Sequence, residues 1–246
     1  MTSILQRKHQ TTVLIHNKGL NIMGRSVYRR TRYRRLRIAS ILSLVLILGT
    51  IIFFVISGGL RQKVDVEQAS VTLDELGNGR IVDSLIKPNK YSRPQTPLEK
   101  VNGVVIHYTA NPGTDAQANR NYFNNLPKIN KETNQKTYAS SNFIIGIDGK
   151  VLCVVPETEV AYASNDRNND TLSIECCYMS ENGAFTNETH DSLVWLVSSI
   201  CKAYKLSEDD VIRHYDITGK ICPKYYVEHK DEWKKLKQEI GVAIHS

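Results

Sequence analysis

The chain of 246 residues carries 32 Lys and Arg against 25 Asp and Glu, a formal net charge of +7, and 41% of its residues are hydrophobic. That length and apolar content support one sizeable core and exclude a small scaffold held together by disulfides. The positive charge belongs to one end: residues 1–60 hold ten Lys and Arg and no acidic residue, and the remainder carries 22 basic against 25 acidic residues, a net −3. A nucleic-acid surface needs basic residues spread over a folded face. Nothing after residue 60 offers one, so nucleic acid is excluded as a partner.

Residues 1–37 read as a basic cytoplasmic tail, ending in Arg29, Arg30, Arg32, Arg34, Arg35 and Arg37. No charged residue lies between Arg37 and Arg61. At about 1.5 Å per residue, this uncharged stretch spans about 34 Å as a helix, enough for a hydrocarbon core of about 30 Å. A transmembrane signal-anchor helix is expected over 38–58. The positive-inside rule places the tail in the cytoplasm and everything that follows outside. The alternative is a cleaved signal peptide, whose apolar region runs about 7–15 residues, shorter than the stretch here. The arginine cluster also suits contact with anionic lipid.

Residues 59–97 read as an extracellular stalk, because Gly77-Asn78-Gly79, Pro88, Pro94 and Pro97 punctuate a polar stretch. The folded domain is expected over 98–246. VVIHY at 104–108 has the β-branched, apolar character of a buried strand, and Asn111-Pro112-Gly113 breaks it. Helical composition follows from Asp115 to Leu126. SNFIIGI, Asp148-Gly149 and KVLCVV predict a β-hairpin. TLSIECC at 171–177 is a further strand, whose alternation puts Ser173, Glu175 and Cys177 on one face and Ile174 and Cys176 on the other. Leu193, Leu196, Val197, Ile200 and Tyr204 recur at helical spacing and predict an amphipathic helix over 189–205; a last helix is expected near 228–240. The order of elements predicts an α/β domain, a mixed central sheet flanked by helices, preceded by one transmembrane helix.

His107 ends a predicted buried strand, where a rigidly held side chain reaches a cleft. His214 and Cys222 share the turn-rich segment RHYDITGKICPKYY. Neutral imidazole and thiolate are zinc ligands, and a catalytic zinc keeps three protein ligands and one open position. Each residue alone also fits an ordinary packed histidine or a small buried cysteine, so spacing by itself leaves the metal open. Glu175 stands among Leu172, Ile174, Cys176 and Cys177. A carboxylate there is costly unless it is paired, solvent-facing or set in a cleft; in a cleft, a raised pKa suits general-base work. The five cysteines, Cys153, Cys176, Cys177, Cys201 and Cys222, all follow the predicted anchor and form no CxxC pair. Cys153, Cys176 and Cys201 are expected to pack as small hydrophobes, and Cys177 to line the cleft beside Glu175.

VVIHYTANPG, SNFIIGIDGKV, NNDTLSIEC and RHYDITGKICP, in that order over residues 98–240, resemble the type-2 N-acetylmuramoyl-L-alanine amidases. That family shares its fold with peptidoglycan recognition proteins and phage amidases. The resemblance implies one Zn2+ held by His107, His214 and Cys222, with Glu175 as catalytic base and Lys220 near the reacting carbonyl. It implies peptidoglycan as substrate and hydrolysis of the amide joining N-acetylmuramic acid to L-alanine. One motif departs: Ser141-Asn142-Phe143 stands where many members carry a small residue or Tyr, then His, then an aromatic. No Tyr is present at Ser141 to assist, which shifts the role to Glu175. Binding-only relatives typically lose the cysteine ligand, and this chain keeps it. The competing readings are a non-catalytic peptidoglycan-binding module or sensor, and a cysteine hydrolase using Cys222 and His214.

The topology is testable on intact cells. External protease should remove the domain and spare the 1–37 tail. Protection of the domain would reverse the orientation, and a mature chain starting near residue 58 would show a cleaved leader.

Overall fold

Short β-branched runs build one six-stranded sheet in this computed structural model, which describes residues 64–246 and, singly, Ser43. The predicted span at 38–58 lies outside the described residues, apart from Ser43. Among the described residues no helix is long and apolar enough to cross a membrane. The strands are β1 (Ile81–Asp83), β2 (Val104–Tyr108), β3 (Phe143–Ile145), β4 (Val151–Cys153), β5 (Leu172–Cys176) and β6 (Val211–Arg213). Their order is β1-β4-β3-β5-β2-β6. The hairpin β3–β4 is antiparallel, while β1–β4, β3–β5, β5–β2 and β2–β6 are parallel. The helices are α1 (Val66–Gly77), α2 (Ala116–Thr133), α3 (Asn187–Tyr204), α4 (His214–Thr218), α5 (Lys224–Glu228) and α6 (Lys230–His245).

Alternation along the strands sorts the core into two layers. One face presents Val104, Ile106, Phe143, Ile145, Val151, Leu172, Ile174 and Cys176 to α1, α3 and α6, through Leu73, Leu193, Leu196, Leu236 and Ile240 among others. The opposite face presents Ile144, Leu152 and Cys177 to Ala116 and Phe123 of α2. His107 alternates with Ile106 and so falls on this second face, as does Glu175. Burying apolar side chains on both sides stabilises the sheet by roughly 25 cal/mol per Å² removed from water, and it holds the strand ends rigid.

Two sequence expectations change. The segment read as a stalk is folded from residue 64 onward. Asp65 caps α1 by accepting from the Gln68 N–H at 3.1 Å, and Val66, Ala69 and Leu73 enter the core. β1 then extends the sheet, and Ile86 is fully buried. Arg93 donates twice to Glu159, at 2.7 and 2.8 Å, and once to the Ile86 carbonyl at 2.9 Å. Gly77 closes α1 and is buried, Gly79 follows with φ 77°, and Pro97 bridges to Glu159, a partner far away in sequence. The second change is in α2, which runs past Leu126 through Pro127 to Thr133. Proline removes one helical hydrogen bond. Asn130 nonetheless fixes the later turns, donating to the Thr137 carbonyl at 2.8 Å and accepting from its N–H at 2.9 Å.

Glu157 follows β4 and is buried, with the Ser70 hydroxyl of α1 donating to it at 3.4 Å. Burial, reinforced by Asp74 and Asp83, pushes its carboxyl from 4.5 up to about 7. The native state therefore holds this proton more tightly than the unfolded chain. The stabilisation is complete below about pH 4.5 and is lost as pH rises through about 7, an effect of order 3 kcal/mol. Glu157→Gln should flatten this loss, so the variant gains on the unaltered chain as pH rises from about 5 to 8. Urea unfolding at several pH values measures it, and parallel pH profiles would refute it.

Candidate metal centre

Three adjacent parallel strands, β5, β2 and β6, end on the same edge of the sheet. Ligands bind beyond the carboxyl ends of strands in such sheets. His107 is the fourth residue of β2 and sits opposite Glu175 of β5 in the register. His214 comes one residue after β6, as the first residue of α4. Gly219, at φ 75°, ends α4 in the left-handed conformation that glycine adopts without strain. The chain then turns back, and Tyr215 N–H donates to the Cys222 carbonyl at 2.9 Å. A five-residue helix and a turn thus bring residues eight apart to one place.

His107, His214 and Cys222 converge: one donor atom from each lies within 4.8 Å of the others, and all three residues are buried. His107 Nδ1 is 3.8 Å from Cys222 Sγ, and the two imidazole centroids are 4.7 Å apart. His107 Nε2 lies 3.3 Å from Ser164 Oγ, and His214 Nε2 lies 2.9 Å from Asn165 Oδ1. The described residues contain this one group of His, Cys, Asp or Glu able to hold a metal ion.

The protonation states leave donor atoms open to a metal ion. Burial, then His214 and Lys220, holds the His107 imidazole well below its ordinary range, and burial with Lys220 lowers His214. Both rings are therefore neutral near pH 7, with lone pairs free. Burial and Glu175 push the Cys222 thiol up to about 12, against the Tyr108 backbone N–H and Lys220, which pull it down. A buried thiol raised this far is a poor thiolate nucleophile, which argues against the cysteine-hydrolase reading. It would become a thiolate on binding a cation. Four-coordinate zinc with bonds of about 2.0–2.3 Å separates its ligands by about 3.3–3.8 Å, so the donor set fits after a contraction of about 1 Å.

Glu175 is half-buried as a residue, yet its Oε2 meets no solvent and has no hydrogen-bond partner among the described residues. Burial pushes its carboxyl up to about 8, with Lys220 pulling it down. Lys220 is exposed on the loop between His214 and Cys222, and its charge reaches Glu175, both histidines and Cys222. The five sequence candidates therefore share one neighbourhood. Ser164 and Asn165 were not singled out in the sequence, because SNDRNND reads as an ordinary polar loop. Cys177 differs from expectation: it packs beneath α2, where Asn119 donates to its sulfur at 3.6 Å, and is fully buried. All five cysteines are free. Asn142 binds the structure together instead of facing the site. Its Oδ1 accepts from Ser173 N–H at 3.0 Å, and its amide donates to the carbonyls of Pro156 and Glu159.

A mixed α/β domain with a polar cluster of this kind at its strand ends defines a class, the domain built around a candidate metal centre. Comparison with known proteins narrows it. Residues 97–225, more than half of the chain, match the N-acetylmuramoyl-L-alanine amidase family, and the chain belongs to that family. N-acetylmuramoyl-L-alanine amidase CwlL of Bacillus licheniformis is 32% identical over 177 residues, covering 67% of this chain and 48% of that protein. BlyA of Bacillus subtilis (strain 168), also named an N-acetylmuramoyl-L-alanine amidase, is 30% identical over 183 residues, covering 66% and 47%. The chain thus spans about half the length of these relatives. Among solved structures, the catalytic domain of XlyA superposes with a TM-score of 0.54 at 23% identity, covering 65% of this chain and 99% of that one. The PlyG catalytic domain gives 0.54 at 21%, covering 67% and 94%. These two likenesses establish the fold.

Replacing any one of His107, His214 or Cys222 by Ala should strip divalent metal that the unaltered chain retains through dialysis. Elemental analysis of the purified proteins measures it. A variant that keeps a full equivalent of metal removes its residue from the site.

Proposed function

We propose that this protein is a zinc-dependent N-acetylmuramoyl-L-alanine amidase, held at the cell membrane by its N-terminal segment with the catalytic domain outside. The observation that carries the reading is the convergence of His107, His214 and Cys222 beside Glu175, whose buried Oε2 has no hydrogen-bond partner among the described residues, in a chain of the amidase family. The substrate is peptidoglycan, and the bond is the amide between the lactyl carbonyl of N-acetylmuramic acid and the nitrogen of L-alanine.

His107, His214 and Cys222 would hold the zinc, which when bound supplies a Lewis acid for the scissile carbonyl and acidifies water. Glu175 takes the proton of the attacking water as the C–O bond forms, then delivers it to the alanine nitrogen as the C–N bond breaks. A carboxyl raised toward neutrality by burial suits both halves of that transfer. The Lys220 ammonium stabilises the negative charge that develops on the carbonyl oxygen. Burial around the site strengthens each of these interactions relative to water.

Glu175→Gln preserves shape and hydrogen-bonding capacity but cannot accept the proton. It should keep bound zinc while kcat on peptidoglycan falls about 10²–10⁴-fold and KM moves little. Mass spectrometry of released muropeptides reads the bond cut and the rate. Near-wild-type turnover with zinc bound would remove Glu175 as the base, and binding of peptidoglycan without any cleavage by the unaltered chain would leave a binding module.

A further inference from the structure

The loop between Val160 and β5 reaches both histidines from behind. Ser164 Oγ meets His107 Nε2, the ring nitrogen opposite the Nδ1 that faces Cys222, and Asn165 Oδ1 meets His214 Nε2, leaving Nδ1 as the other nitrogen of that ring. The loop is itself anchored. Asn168 Oδ1 accepts from the N–H groups of Ala163 and Ser164, at 3.0 and 2.6 Å, and Asn168 N–H returns to the Asn165 carbonyl at 3.1 Å. Thr171 then donates to the Arg167 carbonyl at 2.7 Å, tying the loop to the start of β5, the strand that carries Glu175. Asn165 takes a left-handed conformation, φ 51°, which Asn tolerates better than most residues and which aims its side chain back at His214.

An amide oxygen only accepts hydrogen bonds. Pairing with Asn165 Oδ1 therefore requires a proton on His214 Nε2 and leaves Nδ1 with its lone pair. His107 accommodates the same pattern: Ser164 Oγ is able to accept from Nε2–H at 3.3 Å, and Nδ1 faces Cys222. We propose that Asn165, with Ser164, is a positioning residue that fixes both histidines in the Nε2–H tautomer and so presents two Nδ1 lone pairs to the metal. The inference rests on the metal reading above for its consequence, but the tautomer itself is a property of the metal-free chain. Partners behind ligand histidines raise basicity and fix ring orientation, and their loss typically costs about 10–100-fold in metal affinity.

Two substitutions separate this role from a merely structural one. Asn165→Gly keeps the left-handed backbone and removes the acceptor. Asn165→Asp keeps an acceptor in the same place. In the full-length metal-free chain, nitrogen-15 NMR of the imidazoles should report the Nε2–H tautomer at His214 in the unaltered protein and in Asn165→Asp. The Gly variant should show a tautomer mixture. Zinc affinity by competition with a chromophoric chelator should fall about 10–100-fold for Asn165→Gly and stay within a few-fold for Asn165→Asp. Ser164→Ala should weaken zinc in the same direction, and Ser164→Thr should restore it. An Nδ1–H tautomer at His214 in the unaltered chain overturns the proposal, and so does a Gly variant that binds zinc as tightly as the original. Failure of the unaltered chain to bind zinc would overturn the metal reading instead, and the metal-free spectrum would still decide the tautomer.

Discussion

The parallel register of β2 against β5 is the constraint on which the rest depends. It places His107 level with Glu175, on the sheet face opposite the larger core layer. A slip of β2 by one residue would turn His107 over, drive it into the layer of Leu172 and Ile174, and move Val104 and Ile106 out of that layer to the opposite face. The register is therefore enforced by apolar burial on the far side of the sheet, not by the polar groups themselves. This is why His107 and Glu175 can sit side by side on neighbouring strands.

The polar face carries a cost that the rest of the domain offsets. Among the described residues Glu175 Oε2 is buried without a partner, and an unpaired buried carboxylate is among the more expensive groups a fold can hold. Here it is tolerated by remaining protonated and by lying in the field of Lys220. The two histidines are kept neutral by the same burial. A cation held by His107, His214 and Cys222 would displace the thiol proton and lower the cost of ionising Glu175.

The N-terminal part of the described chain supports this arrangement from a distance. Helix α1 covers the larger core layer, β1 extends the sheet, and the Arg93–Glu159 pair fastens the segment to the loop after β4. That loop is the same one that Asn142 ties to β5 through the Pro156 and Glu159 carbonyls. The segment read as a linker and the strand carrying Glu175 are thus joined through one set of hydrogen bonds. The domain that supports the site begins near residue 64, well before the match to the family.

Much was legible in the sequence because its causes are local. Alternating and β-branched runs gave β2, the hairpin and β5, and a 3.6-residue apolar repeat gave α3, since these patterns reflect which face must leave water. The site residues were legible as types: imidazole, thiol and a carboxylate misplaced in an apolar strand. Their meeting was not, because 115 positions separate His107 from Cys222, and only the strand order β5-β2-β6 brings them within reach. The resemblance to a known family supplied that link in the sequence; the geometry supplies its reason. The stalk, the short reading of α2 and the place of Cys177 went astray for one shared reason. Val66, Ala69, Leu73 and Cys177 are held by partners distant in the chain and Asn130 by Thr137 beyond the end of its helix, contacts that no local pattern records, and a helix that buries a weak stripe against another helix looks, in sequence alone, like a linker. Ser164 and Asn165 were invisible on the same ground: a polar loop acquires its role only from what the fold sets in front of it.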